Sequence, residues 1–245
     1  MSGLIFIFII TLAVFALRLA KATTELTNAE DMRTQVVQAM ADTLRKAGID
    51  VTIDPEQGVL RLTERAIQFP KGESEPEEEY RRNVGVVAEV LLRVLRCHVA
   101  EADNPRPHAT PLPSYCAPVD ASWLCGADQS GAKVNTVLVE GHSDNVPIIG
   151  KGFHYKDNLD LSAARSAEIF QMMLQCEPGL RDLLNRTGAP VLSVSGYGET
   201  RPVLSVSGDA GPNRRIDLRF VMEPPEAKSV EPPAAVEQVR HELGE

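Results

Sequence analysis

The chain has 245 residues, with 25 lysines and arginines against 34 aspartates and glutamates, a formal net charge of −9. At 43% apolar and 24% charged residues it can fill one core with appendages but not two large domains, since a domain takes roughly 100 to 200 residues. Acidic throughout and without a Lys/Arg block, it repels phosphate backbones, which excludes nucleic acid as an expected partner.

The densest apolar run opens the chain, and from residue 4 to residue 17 only Thr11 interrupts it. As a helix rising ~1.5 Å per residue, residues 1–17 reach about 25 Å. A snorkelling Arg18 and slight bilayer thinning extend this to the ~30 Å hydrocarbon layer. Residues 1–22 are therefore expected to form a retained transmembrane helix. Ala20-Lys21-Ala22 has the small-x-small form of a cleavage site, but no Lys or Arg precedes the run as a signal peptide requires. Arg18 and Lys21 follow the span, and the positive-inside rule alone would leave the remainder in the cytoplasm. A chain that opens at the membrane edge suggests an upstream flank whose charges set the orientation; the later motifs favour an exported domain.

Residues 23–48 read as a helix, because Leu26, Ala29, Met32, Val36, Met40, Leu44 and Ala47 recur at spacings of three and four before Gly48. Such a segment either packs on its own domain or, directly above a membrane, forms a stalk and dimerisation linker between two parallel copies. From Ile49 the period changes to two: Val51 and Ile53, then Leu60 and Leu62, flank Asp54-Pro55-Glu56-Gln57-Gly58, a strand, a tight turn and a returning strand. Phe69-Pro70-Lys71-Gly72 ends that unit. The acidic residues 73–79 open an amphipathic helix carrying Val86, Val90, Leu91, Val94 and Leu95, with Arg93 and Arg96 late as the helix dipole prefers.

Residues 99–133 hold Pro105, Pro107, Pro111, Pro113 and Pro118 with little periodicity, a long loop inserted in the domain. Cys97, Cys116, Cys125 and Cys176 permit three pairings. In an exported domain Cys116 with Cys125 would pin the loop, and Cys97 with Cys176 would join two helix ends; no C-x-x-C pair supports zinc. Beyond the loop come a strand at 135–140, a helix at 161–174, and strands at 191–196 and 215–222. The tail 223–245, rich in Pro, Glu and Ala, is expected to be disordered. The order predicts an α/β fold of the α+β sandwich kind over residues 49–222, β-α-β-α-β and a last strand, with helices on one sheet face.

Four segments stand out together. They are Val137-Leu138-Val139-Glu140-Gly141-His142-Ser143-Asp144-Asn145, then Asn158 with Leu161-Ser162-Ala163-Ala164-Arg165-Ser166-Ala167, then Ser195-Gly196-Tyr197-Gly198-Glu199-Thr200-Arg201-Pro202, then Asn213-Arg214-Arg215-Ile216-Asp217. Their order and spacing resemble the OmpA-like domain shared by outer-membrane proteins, the Pal lipoprotein and the MotB family of motor stators, over about residues 50–222. The resemblance implies non-covalent peptidoglycan binding. It implies that Asp144 takes the ammonium and Arg165 the carboxylate of the stem-peptide diaminopimelate, a forked, charge-assisted contact. Arg214 matches a further residue near that pocket, Asn158 a supporting polar residue, and Ser143 stands beside Asp144. Read without the resemblance, Asp144 and Arg165 form an internal salt bridge at a helix start, with Arg165 in the first turn.

Other polar residues read more plainly. His142 without partner ligands reads as structural, so no metal is expected, and Gly141, Gly196 and Gly198 read as turn residues. No G-x-S-x-G elbow, H-E-x-x-H or G-x-G-x-x-G loop is present, so neither catalysis nor a cofactor is expected.

The N-terminal span resembles MotB-family stators among the architectures that use this domain, and most resembles the Zorya anti-phage branch, rather than a barrel porin or a lipoprotein. That resemblance implies an inner-membrane location with the domain in the periplasm, a homodimer, and a polytopic MotA-like partner in a proton-driven motor. The sequence departs at one point: the family's proton-carrying aspartate lies at the cytoplasmic edge of the span, and here only Ser2 and Thr11 are polar, neither ionisable. A passive single-span wall tether is the alternative.

Overall fold

The computed structural model describes residues 2–99, 101–102, 113–116, 133–148, 154–203 and 211–223. Most of the expected insertion at 99–133, Cys125 within it, and the tail from 224 lie outside the described residues. The described chain falls into two units, residues 2–26 and Thr27–Glu223.

Helix α1 runs Ser2–Lys46. In the first unit its residues 5–20 are exposed on every side, and this is the one described helix long and apolar enough to cross a membrane. The Thr11 hydroxyl donates to the Ile7 carbonyl at 2.8 Å, so the single polar side chain inside the run is satisfied within the helix.

In the second unit one face of α1 packs into the core, where Met32, Val36, Val37, Met40, Ala41 and Leu44 are buried. The helix ends where predicted. Gly48, at φ 83°, lets its own amide reach the Arg45 carbonyl and the Ile49 amide reach the Leu44 carbonyl, a paired closure that only a left-handed residue permits.

Strands β1 (Val51–Asp54) and β2 (Val59–Leu62) form the predicted hairpin, its turn held by Gln57 N–H on the Asp54 carboxylate at 3.1 Å. Helix α2 is Glu78–His98, starting five residues after the predicted acidic opening, and a short β3 (Glu101–Ala102) follows. Strand β4 (Val134–Gly141), helix α3 (Asn158–Cys176), β5 (Leu183–Leu184), β6 (Leu192–Gly196) and β7 (Ile216–Met222) complete the chain. The main sheet has the order β1-β2-β7-β4-β6, mixed: β4 pairs antiparallel with β7 and parallel with β6. Strands β3 and β5 form a separate two-stranded ladder that the sequence did not signal. Helix α3 packs on β4 and β6, and α2 packs on α3.

Two glycines read as turn residues do a different job. A Cβ on Gly141 would overlap the Ser162 carbonyl, and one on Gly196 would lie 2.6 Å from the Ala163 amide, so these positions let α3 lie directly on the ends of β4 and β6. Of the three, only Gly198 has a left-handed φ, 54°.

The disulfide pairing also differs from both expected bridges. Cys116 joins Cys176 across 60 residues of sequence, and Cys97 is disulfide-bonded too. The bridge ties the Pro113–Cys116 turn to the end of α3, where the Tyr115 hydroxyl meets Gln175 at 2.6 Å. Gly85 of α2 makes room for it, since a Cβ there would press on the Tyr115 carbonyl. Sequence spacing could not see this, because the pairing depends on the Pro113–Cys116 turn folding onto the end of α3 beside Gly85 of α2.

Candidate functional site

The loops after β4 and before α3, the segment after β2 and the turn before β7 enclose a cavity of about 210 Å³. All four polar residues expected near one site line it, with Ser143: Asp144, Asn158, Arg165 and Arg214.

Asp144 lies three residues past the end of β4 and is buried. Its Oδ1 accepts the Val146 amide at 3.1 Å, an Asx turn that fixes the carboxylate, and its Oδ2 accepts Arg214 Nη1 at 2.7 Å. Arg214 in turn reaches Glu64 at 3.3 Å through Nη2. Asn158, the first residue of α3, donates to the carbonyls of Asp144 at 3.2 Å and Val146 at 3.1 Å, so it ties the loop to the helix rather than facing the cavity alone. The helix begins three residues earlier than predicted because Asp157 caps it, accepting the Asp160 amide at 2.8 Å.

That earlier start moves Arg165 from the first turn to the second, away from the open amides of the helix end. The internal salt bridge that Asp144 and Arg165 would form when read without the resemblance is absent among the described residues, where Asp144 pairs with Arg214. Arg165 is 1% exposed, and its Nε donates to the Glu73 carbonyl at 2.9 Å and its Nη2 to the Pro70 carbonyl at 3.4 Å. The guanidinium lies over the Phe69 ring, 4.7 Å from its centre. Burial, and then the nearby Arg214, push its pKa down to about 10, which still leaves it charged at neutral pH. Its Nη1 is buried with no hydrogen-bond partner among the described residues, and so is the Ser143 hydroxyl. Two orphaned polar atoms on one cavity, one of them on a cation, are what a bound acidic group would satisfy.

The wall formed by Phe69, Lys71 and Gly72 was missed in the sequence, where Phe69-Pro70-Lys71-Gly72 read only as the end of a unit. The signal was weak, because the contact with Arg165 spans 92 residues.

A second polar cluster surrounds His142. Glu140, His142 and Asp217 bring ligand-type atoms within 4.8 Å of one another. Both carboxylates are already committed: Glu140 accepts Arg219 Nε at 2.7 Å, and Asp217 accepts Arg215 Nε at 3.1 Å and Arg61 Nε at 3.2 Å. Burial, together with Arg215, Arg61, Arg201 and Arg219, drives the His142 pKa down to about 3. With both carboxylates held by arginines, the cluster forms a buried charge network around the histidine. His142 stacks on Tyr197 with ring centres 5.4 Å apart, and Arg201 covers the Tyr197 ring at 3.7 Å.

Neither family models nor curated protein sequences match the chain. Solved structures do show likeness. A MotB-like protein from Desulfovibrio vulgaris is 18% identical with a TM-score of 0.48, over 80% of this chain and 97% of that one. The periplasmic domain of Helicobacter pylori MotB is 14% identical with a TM-score of 0.41, over 76% of this chain and 83% of that one. The cell wall anchor of the T6SS from Pseudomonas aeruginosa is 19% identical with a TM-score of 0.44, over 78% of this chain and 99% of that one.

Proposed function

We propose that this chain is a single-span inner-membrane protein whose folded domain holds peptidoglycan in the periplasm, binding rather than catalysing. The observation that carries this reading is the Arg165 guanidinium, 1% exposed with Nη1 unpartnered, on a cavity that also holds Asp144. A stem-peptide diaminopimelate offers a carboxylate to the first and an ammonium to the second, as the motif resemblance implies. The exposed apolar helix supports the membrane placement, and the disulfide supports an oxidising compartment.

The fuller proposal is a homodimeric, MotB-like stator subunit that works with a polytopic MotA-like or ZorA-like partner in a proton-driven motor, of the ZorB kind in Zorya anti-phage defence. It rests on the motif resemblance and on the character of residues 1–12. A second reading is a passive tether, which needs only the apolar span and the wall-binding cavity and no ion-carrying side chain. Co-purification from the native host separates the two, because a stator brings a polytopic subunit with it and a tether does not.

Pelleting with purified sacculi tests the binding itself. Asp144→Ala and Arg165→Ala are each expected to abolish co-sedimentation of the detergent-solubilised chain. Arg165 also holds the Pro70 and Glu73 carbonyls, so Asp144→Asn, which keeps the side-chain shape, guards against a folding artefact. Undiminished pelleting of all three variants would overturn the assignment.

A further inference from the structure

Resting on that reading, we propose that Lys71 makes the pocket selective for a stem-peptide segment carrying two free carboxylates for each ammonium. The cavity is lined by three cationic side chains, Lys71, Arg165 and Arg214, and one anionic side chain, Asp144. Glu64 is the next carboxylate, held by Arg214 at 3.3 Å. Arg214 is thus shared by these two carboxylates, and together with Arg165 these four groups sum to zero among the described residues. Among the described residues, Lys71 leaves the site with one positive charge in excess. A zwitterionic head, one ammonium and one carboxylate, cannot neutralise it, but a second carboxylate can.

The position of Lys71 is set by the same residue that meets the first carboxylate. Arg165 donates to the carbonyls of Pro70 and Glu73, on either side of Lys71, and rests on Phe69. The Lys71 backbone is therefore fixed beside the guanidinium, while its side chain is exposed and has no ion pair or hydrogen bond among the described residues. A lysine on a tethered wall, unpaired and facing a cavity with an unmatched positive charge, is placed to take an acidic group adjoining the one on Arg165.

In a stem peptide two carboxylates qualify. One is the α-carboxylate of the γ-linked glutamate before diaminopimelate, and the other is the free carboxylate at the peptide's C-terminal end. The shared chemistry is a carboxylate one residue or less from the zwitterionic head, and amidation distinguishes the sources.

Calorimetric titration of the full detergent-solubilised chain tests this with three soluble disaccharide tripeptides: unmodified, amidated at the glutamate, and amidated at the C-terminal carboxyl. Wild type should bind one amidated form about five- to tenfold more weakly than the unmodified peptide, and that form names the source. Lys71→Gln should bind the unmodified peptide with the same loss and no longer distinguish that amidated form, whereas Lys71→Arg should retain the preference. If Lys71→Gln discriminates as wild type does, while Asp144→Asn and Arg165→Lys lose binding, the selectivity proposal fails and the binding site stands. If Asp144→Asn and Arg165→Lys bind every peptide as wild type does, the underlying reading fails instead.

Discussion

Arg214 Nη1 lies 2.7 Å from the Asp144 carboxylate, with the aspartate side chain 10% exposed. The pocket's one anion is compensated before any ligand arrives, so a ligand ammonium must share or displace an existing partner rather than meet a bare charge. Arg165, by contrast, has an open donor. Arg214→Gln is accordingly expected to weaken sacculus binding by about tenfold, roughly 1.4 kcal/mol, while Arg165→Gln removes it; graded pelleting curves measure both. Equal losses would mean that Arg214 contacts the ligand as directly as Arg165 does.

The close approach of α3 to the sheet gives a stability prediction. Gly141→Ala forces a Cβ into the Ser162 carbonyl, a backbone atom that cannot step aside, and should cost about 3 kcal/mol. Gly188→Ala places its Cβ in open space and costs only the left-handed backbone penalty at φ 76°, about 1 kcal/mol. Thermal melts of the two variants should separate clearly, and a Gly141→Ala melt matching wild type would refute the packing argument.

Removing the Cys116–Cys176 bridge opens a loop of 60 residues, which by loop-closure entropy is about 4 kcal/mol. The double Cys116→Ser, Cys176→Ser chain should melt well below wild type. Alkylation of intact cells with a thiol reagent should leave both cysteines unlabelled if the domain is exported. Labelling of both would put the domain on the reducing side of the membrane.

The buried histidine gives a pH prediction. His142 has its pKa lowered from 6.5 to about 3, so below pH 6.5 the unfolded chain binds a proton that the folded chain refuses. Stability therefore falls as pH falls through this window, by about 2 kcal/mol between pH 7.5 and 5. Asp217, pushed up by burial, works in the opposite sense, so the comparison that isolates the histidine is His142→Gln, whose melting point should lose this acid sensitivity. An unchanged pH profile in the variant would mean that His142 is not the group responsible.

Local signals carried most of the fold. The alternation around residues 51–62 and the run at 134–141 became strands because period and turn chemistry agree there, and Gly48 ended α1 as its backbone freedom predicts. What stayed hidden depended on contacts distant in sequence. The Cys116–Cys176 pairing needs a turn to fold onto the far end of α3, the Arg165 hold on Pro70 and Glu73 joins segments more than 90 residues apart, and the β3–β5 ladder is too short for any periodicity. The residues that line the cavity were legible as a set through their motifs, but the hold of Arg214 on Asp144 was not, because it joins segments 70 residues apart.

The strand order has a mechanical consequence. The chain enters the sheet from α1 at β1, an edge strand, while the cavity hangs from the end of β4, and β2 and β7 stand between them. Any tension between an anchored ligand and the N-terminal end of the domain has a route across the sheet through three antiparallel ladders, β4 to β7, β7 to β2 and β2 to β1. Several hydrogen bonds in each ladder share such a load. The core residues of α1 from Met32 to Leu44 give such a load a second route, through packed side chains rather than the sheet.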